Sequence, residues 1–172
     1  MTDSRLIIMR HAKSDWHADN SSDFDRPLAT RGKRDAVRMG KWLLGKKLIP
    51  DCFICSTAIR ARRTAALLAK EIKIPKGDII WTEQIYAASL QDLLGVLEAY
   101  YSDVTSLMIV GHNPGLDELL RFLAIDRPTL TIKGKLMTTS AIAVLNFGAK
   151  AITTTPQSAS LEYLIRPKEL EI

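Results

Sequence analysis

The chain has 172 residues, 47% of them apolar, enough to bury one sizeable core and so to form a single domain over residues 1–172. Its 24 Lys and Arg outnumber 19 Asp and Glu, and the net charge of +5 is spread along the chain, which favours an anionic ligand. No basic run with interleaved aromatics accompanies it and no stretch reaches the ~18 apolar residues of a membrane span, so a cytoplasmic monomer without nucleic-acid or membrane partners is expected.

The first predicted strand, residues 5–10, is an apolar run, Leu6-Ile7-Ile8-Met9, that stops on Arg10 and His11. The polar stretch 13–29 is too long for an ordinary strand-to-helix turn and reads either as a functional loop or as a solvated one. His17 within it reads as solvated. A helix is predicted over 31–46. The second strand, 52–56, contains Cys52 and Cys55 in a C-x-x-C, but residues three apart on a strand face opposite sides and no second Cys or His pair completes a metal site. Both read as structural thiols. A cysteine phosphatase would need arginine at 58 or 61, and both are alanine. In the helix predicted over 57–73, capped by Ser56 or Thr57, Arg60 falls in the first turn, where the positive end of the macrodipole disfavours a cation. A local rule broken in this way tends to mark function. Arg62 and Arg63 keep the plainer reading of a solvated basic face.

A third strand is predicted over 78–82 and a helix over 89–101. The fourth strand, 106–111, ends on Gly111-His112-Asn113-Pro114-Gly115 and leads into a helix over 114–124 with Pro114 near its first position. The N–H groups of such a helix start suit an anion, Gly111 would let a ligand approach, and Asn113 counts as substrate-binding; the Gly-Lys-Ser/Thr ending of a Walker loop is missing. Strands over 140–147 and 160–165 follow one another without a helix and should form an antiparallel pair at the C-terminal edge. The alternation implies an α/β fold: a mostly parallel sheet of about six strands with helices on both faces. Ligands of such sheets bind beyond the carboxyl ends of the strands, where Arg10, His11, Arg60 and His112 gather. Arginine forks match phosphate oxygens and a neutral imidazole can attack phosphorus, so the pattern points to phosphoryl chemistry.

The stretches "MRHAKS", "STAIRARRTAALL" and "GHNPGL", in that order, resemble the signature elements of the histidine phosphatase superfamily, the phosphoglycerate mutase-like fold. The short length, "DFDRPLATRGKRDA", "TEQIYAAS" and "TTSAI" make nearly the whole chain similar to the SixA-type phosphohistidine phosphatases. The resemblance implies His11 as the phosphorylated nucleophile, Arg10 and Arg60 as phosphate clamps, His112 as a second phosphate-site histidine and Arg26 as a further pocket residue. It puts Glu83 at the proton donor's position; a surface glutamate at a strand end is the other reading of that residue. The implied substrate is a phosphohistidine-bearing protein, a phosphotransfer domain or a phosphocarrier, with no cofactor and no metal. Two alternatives stay open: a phosphomonoesterase acting on small molecules, and a non-catalytic module binding phosphate or nucleic acid.

Overall fold

Leu6, Ile7, Ile8 and Met9 are all fully buried, which a strand achieves only when both its faces are covered. The computed structural model describes residues 2–19 and 22–170. Its elements are β1 (Ser4–Arg10), α1 (Thr30–Gly45), β2 (Cys52–Ser56), α2 (Ile59–Glu71), β3 (Ile79–Thr82), α3 (Leu90–Tyr100), β4 (Ser106–Gly111), α4 (Gly115–Leu123), β5 (Ile142–Gly148) and β6 (Ser160–Ile165). The six strands form one sheet in the order β3-β2-β4-β1-β5-β6. The β3, β2, β4 and β1 neighbours pair in parallel, whereas β5 runs antiparallel to both β1 and β6.

The strand pleat sorts the core into two layers. Ile7 and Met9 point to the face where Met39 and Leu43 of α1 and Ala61, Ala65 and Leu68 of α2 pack. Leu6 and Ile8 point to the other, against Leu93 and Leu97 of α3 and Leu116, Leu119 and Leu120 of α4. The two thiols follow the same alternation: Cys55 is buried in the first layer, Cys52 packs against the second, and both are free. Helices α1 and α2 touch closely at Gly40, where a Cβ would stand 2.8 Å from the Cβ of Glu71. Truncating the fully buried Leu68 to alanine would cost ~2–5 kcal/mol.

Two helix starts differ from the sequence expectation. Helix α2 begins at Ile59, with Ala58 rather than Ser56 or Thr57 before it and no side-chain cap. Its first N–H goes instead to the Phe24 carbonyl at 3.0 Å, a tertiary bond from the 13–29 loop. Arg60 nevertheless remains in the first turn. In α4 Pro114 precedes the first helical residue, Gly115. Among the described residues no helix is long and apolar enough to cross a membrane.

Candidate active site

Parallel pairing sets Arg10 of β1 opposite Gly111 of β4, so the next residues, His11 and His112, leave the sheet side by side. Their ring centroids are 5.1 Å apart. Backbone bonds pin this edge: the His11 N–H donates to the Gly111 carbonyl at 3.0 Å, and the Ser140 N–H is shared between the carbonyls of Arg10 (3.2 Å) and His11 (3.1 Å). Gly111 does not open the site to a ligand, because a Cβ there would lie 2.8 Å from the Ile85 side chain. The space beside the glycine belongs to core packing.

His11 Nδ1 lies 2.7 Å from the Ala12 carbonyl. A carbonyl only accepts, so Nδ1 carries the ring proton and Nε2 presents a lone pair. Toward that lone pair Arg60 Nε donates, at 3.3 Å. Burial, above all, drives the His11 pKa down to about 3; the Ala12 bond opposes it, and the charges of His112, Arg60 and Arg10 reinforce it. His112 is likewise lowered to about 4, by burial first and then by Arg60, with Asp23 opposing. Both rings are therefore neutral near pH 7.

Around the pair, His112 Nε2 lies 2.7 Å from Ser56 Oγ, a hydroxyl that also accepts the Ala58 N–H at 3.3 Å. His112 Nδ1 and Arg10 Nε are buried without a hydrogen-bond partner among the described residues. Arg10 is oriented by Nη1 donating to the Met137 carbonyl at 3.0 Å. Thr64 Oγ1 accepts the Ala12 N–H at 2.9 Å and donates to the Arg60 carbonyl at 2.7 Å, tying α2 to the chain just past His11.

Residues 13–19 and 22–29 cover this floor. Gly32 at the start of α1 lets the loop cross closely: a Cβ at position 32 would fall 2.1 Å from the Lys13 carbonyl. In the loop, Arg26 is buried, donates Nε to Ser14 Oγ at 2.8 Å, and stacks its guanidinium 3.6 Å from the centre of the Trp16 ring. Asp23 takes Arg26 Nη1 at 2.5 Å on Oδ1, and Arg60 Nη2 at 3.0 Å and the Tyr86 hydroxyl at 2.9 Å on Oδ2. Its own carbonyl accepts Arg60 Nη1 at 2.7 Å. Partial desolvation pushes the Asp23 pKa up, but the bonds from Tyr86 and Arg26 and the charge of Arg60 outweigh it and bring it to about 2.

The structure thus brings Arg10, His11, Arg60, His112 and Arg26 together. Asn113 plays another part: Nδ2 donates to the Met137 carbonyl at 2.9 Å and Oδ1 accepts the Asp117 N–H at 3.2 Å. The α4 start is consequently not an open anion cradle, and its first turn carries the acids Asp117 and Glu118. Glu83 is exposed on a 3₁₀ turn and lines a hollow of about 610 Å³ with Gln84, Gln91 and Asp92, which neither histidine lines. Asp23, Thr64, Tyr86 and Met137 were not singled out in the sequence. Among the described residues no cluster of three or more His, Cys, Asp or Glu could hold a metal ion.

The model of the histidine phosphatase superfamily (branch 1) matches residues 6–80. An uncharacterized protein of Mycobacterium tuberculosis is 35% identical over 157 residues, covering 89% of this chain and 96% of its own. An Agrobacterium tumefaciens structure assigned as the phosphohistidine phosphatase SixA superposes with a TM-score of 0.76 at 26% identity, over 97% of this chain and 100% of the other. The protein histidine phosphatase SixA complexed with tungstate, at 24% identity, shares the fold with a TM-score of 0.79 over 97% and 99% of the two chains. With paired strand-end histidines on this fold, the chain belongs to the histidine phosphatase superfamily and is a hydrolase acting on phosphoryl groups.

Proposed function

We propose that the chain is a phosphohistidine phosphatase that removes the phosphoryl group from protein phosphohistidine through a phospho-His11 intermediate. The observation that carries this reading is the tautomer of His11: with Nδ1–H fixed on the Ala12 carbonyl, the Nε2 lone pair faces Arg60. Burial keeps that nitrogen unprotonated, as a nucleophile must be.

The reaction is two in-line transfers. In the first, Nε2 of His11 forms a bond to phosphorus while the P–N bond to the substrate imidazole breaks, and the departing nitrogen is protonated from solvent. In the second, water attacks phosphorus, the His11 P–N bond breaks, and phosphate leaves with the nitrogen lone pair restored. Arg10 and Arg60 supply forked N–H donors to the equatorial oxygens. For His112, Nε2 faces the Ser56 hydroxyl at 2.7 Å, which donates to it in the tautomer that carries the ring proton on Nδ1. In that tautomer Nδ1–H is a buried donor without a protein partner among the described residues, and a phosphoryl oxygen seated against the ring would supply one.

A protein substrate is favoured by what covers the floor. The roof is formed by residues 13–19 and 22–29, with Trp16 66% exposed, and among the described residues no inserted domain closes over the histidines. Neither the hollow at Glu83 nor the second one, about 380 Å³ beside Arg121 and Asp126, is lined by them. A phosphohistidine protruding from a folded phosphotransfer domain or phosphocarrier can reach such a site. The test presents a phosphohistidine protein, a phosphoserine peptide and a sugar phosphate side by side. The largest kcat/KM is expected for the phosphohistidine protein; a preference for the sugar phosphate would assign the site to small phosphomonoesters instead. Chelator is expected to leave the rate unchanged.

A further inference from the structure

Arg60 occupies an unfavourable place. It is a buried cation in the first turn of α2, 6% exposed, with the helix dipole against it. A counter-charge must hold it there, and the only carboxylate bonded to it among the described residues is Asp23, three residues before Arg26 in the polar loop. The contact has two points: Nη1 donates to the Asp23 carbonyl at 2.7 Å and Nη2 to its carboxylate at 3.0 Å. Two points fix the plane of a guanidinium, and with it the direction of the third nitrogen, the Nε that stands 3.3 Å from His11 Nε2. One N–H on each terminal nitrogen stays free of Asp23 and available to a phosphoryl oxygen.

The same carboxylate takes Arg26 Nη1 and the Tyr86 hydroxyl, so it keeps two like charges, Arg26 and Arg60, converged. With both histidines neutral, Arg10, Arg26 and Arg60 bring three positive charges against Asp23 and the Asp117 carboxylate that acts on Arg10, so the site stays net positive toward a phosphoryl dianion. A carboxylate this close also repels the dianion. Its presence is tolerable only if orientation gains more than ground-state affinity loses, the signature of an element that serves the transition state.

We propose that Asp23 is a positioning residue, which fixes the Arg60 guanidinium in its reacting geometry beside His11 and weakens phosphate binding in doing so. This rests on the reading of the site as a phosphoryl-transfer centre. It also predicts a split that loss of structure would not give. Asp23→Asn keeps the size and removes the charge. Its kcat should fall ~30- to 100-fold, the scale of a misplaced transition-state group, while inorganic phosphate binds ~3- to 10-fold more tightly because a like charge is gone. Asp23→Glu restores the charge but not the two-point geometry, so its phosphate affinity should return to the wild-type value with kcat in between.

The experiment measures kcat on the phosphohistidine protein, phosphate affinity by calorimetry, and the ¹⁵N resonance of His11 Nε2 in the free protein, for wild type and both variants. In Asp23→Asn the His11 Nε2 resonance should move as Arg60 loosens. An unchanged or raised kcat would mean that Asp23 is only a plug displaced by substrate, and would overturn the proposal. So would a parallel loss of kcat and phosphate affinity, which would make Asp23 a prop for the loop. If the wild type hydrolyses none of the three substrates, the functional reading fails. Asp23 is then judged on the resonance and the affinity, and an unmoved His11 signal or an unimproved affinity overturns its role.

Discussion

The floor and the roof of the site are built differently. On the floor, His11, Arg60 and His112 are 7%, 6% and 8% exposed and sit at strand ends or in the first turn of a helix, with backbone bonds fixing the chain around them. On the roof, the Asp23 side chain is 50% exposed and Trp16 66%; backbone bonds close the loop at its base, Asp15 to Pro27 and Ala29 to Lys13, and side chains hold what lies between, Asp23 to Arg60 and Tyr86, and Arg26 to Ser14. Burial gives the floor its chemistry, since a dry environment is what keeps both imidazoles neutral. Exposure leaves the roof's side chains within reach of the large substrate proposed above. The reactive atoms are thus placed by the sheet, and the loop adjusts them.

If that division is right, substitutions on the floor cost more than those on the roof. The largest effect belongs to His11→Ala, which should lose turnover on the order of 10⁴- to 10⁶-fold, as when a nucleophile is removed from a catalytic unit. Wild type quenched in base should carry an acid-labile phosphoryl group on His11. A label on Ser56 or Cys55 would break the comparison at its centre. Next comes Arg60→Lys, which keeps a charge but removes the fork and the contact with His11 Nε2. It should lose ~2.7–4 kcal/mol of transition-state stabilisation, read from kcat/KM, whereas Arg62→Lys, on the exposed face of α2, should lose little. Equal small losses would leave Arg60 a buried structural cation that holds Asp23 without serving the reaction.

Much of the floor was legible because its signals are local. An apolar run that stops on Arg10 and His11, a cation placed against a helix dipole and a Gly-His-Asn-Pro-Gly turn can each be read within a few residues. All six strands and four helices lie where periodicity put them, with ends shifted by no more than two residues. What escaped is tertiary. The loop holds Asp15, Asp19, Asp23 and Asp25, and nothing in composition singles out the one that reaches Arg60. The Met137 carbonyl that aims Arg10 is a backbone group in a distant loop, with no side-chain signature. The bonds of the Asn113 amide with Met137 and Asp117 escaped for a related reason, since they become visible only once α4 and that loop are packed together.

Acid sharpens the contrast between dry floor and wet roof. His11 and His112 titrate at about 3 and about 4 when folded, against ~6.5 when unfolded. Between those values the unfolded chain binds more protons, so the stability they contribute is complete above pH ~6.5 and is lost as pH falls toward 4, by ~1.4 kcal/mol per unit for each ring. Denaturant unfolding from pH 7.5 to 4.5 should show this slope, and replacing both rings by asparagine should flatten it. The same burial removes the nucleophile's usual acid limb, so kcat/KM should not fall around pH 6.5 on account of His11 protonation. A limb there that shifts when His11 alone is altered would mean the floor is wetter than its packing implies.

The smallest effect is expected at the rim, from Glu83→Gln, and it depends on the leaving group. An alkoxide departs poorly unless protonated, and a positioned general acid typically contributes ~10²–10⁴-fold. The imidazole of phosphohistidine leaves across a weak P–N bond and takes its proton readily from solvent. Glu83 is exposed on its turn and opens on a hollow that the histidines do not line, so it can serve a leaving group only where the substrate itself reaches that side. Glu83→Gln should therefore slow alkyl-phosphate hydrolysis more than phosphohistidine hydrolysis, with the second within a few-fold of wild type. Rates equal to wild type on both substrates would remove Glu83 from the reaction altogether. An equally large loss on both would show that the departing imidazole also needs a protein acid, that a rim residue ranks with the floor, and that the weak P–N bond does not explain how an exposed glutamate suffices.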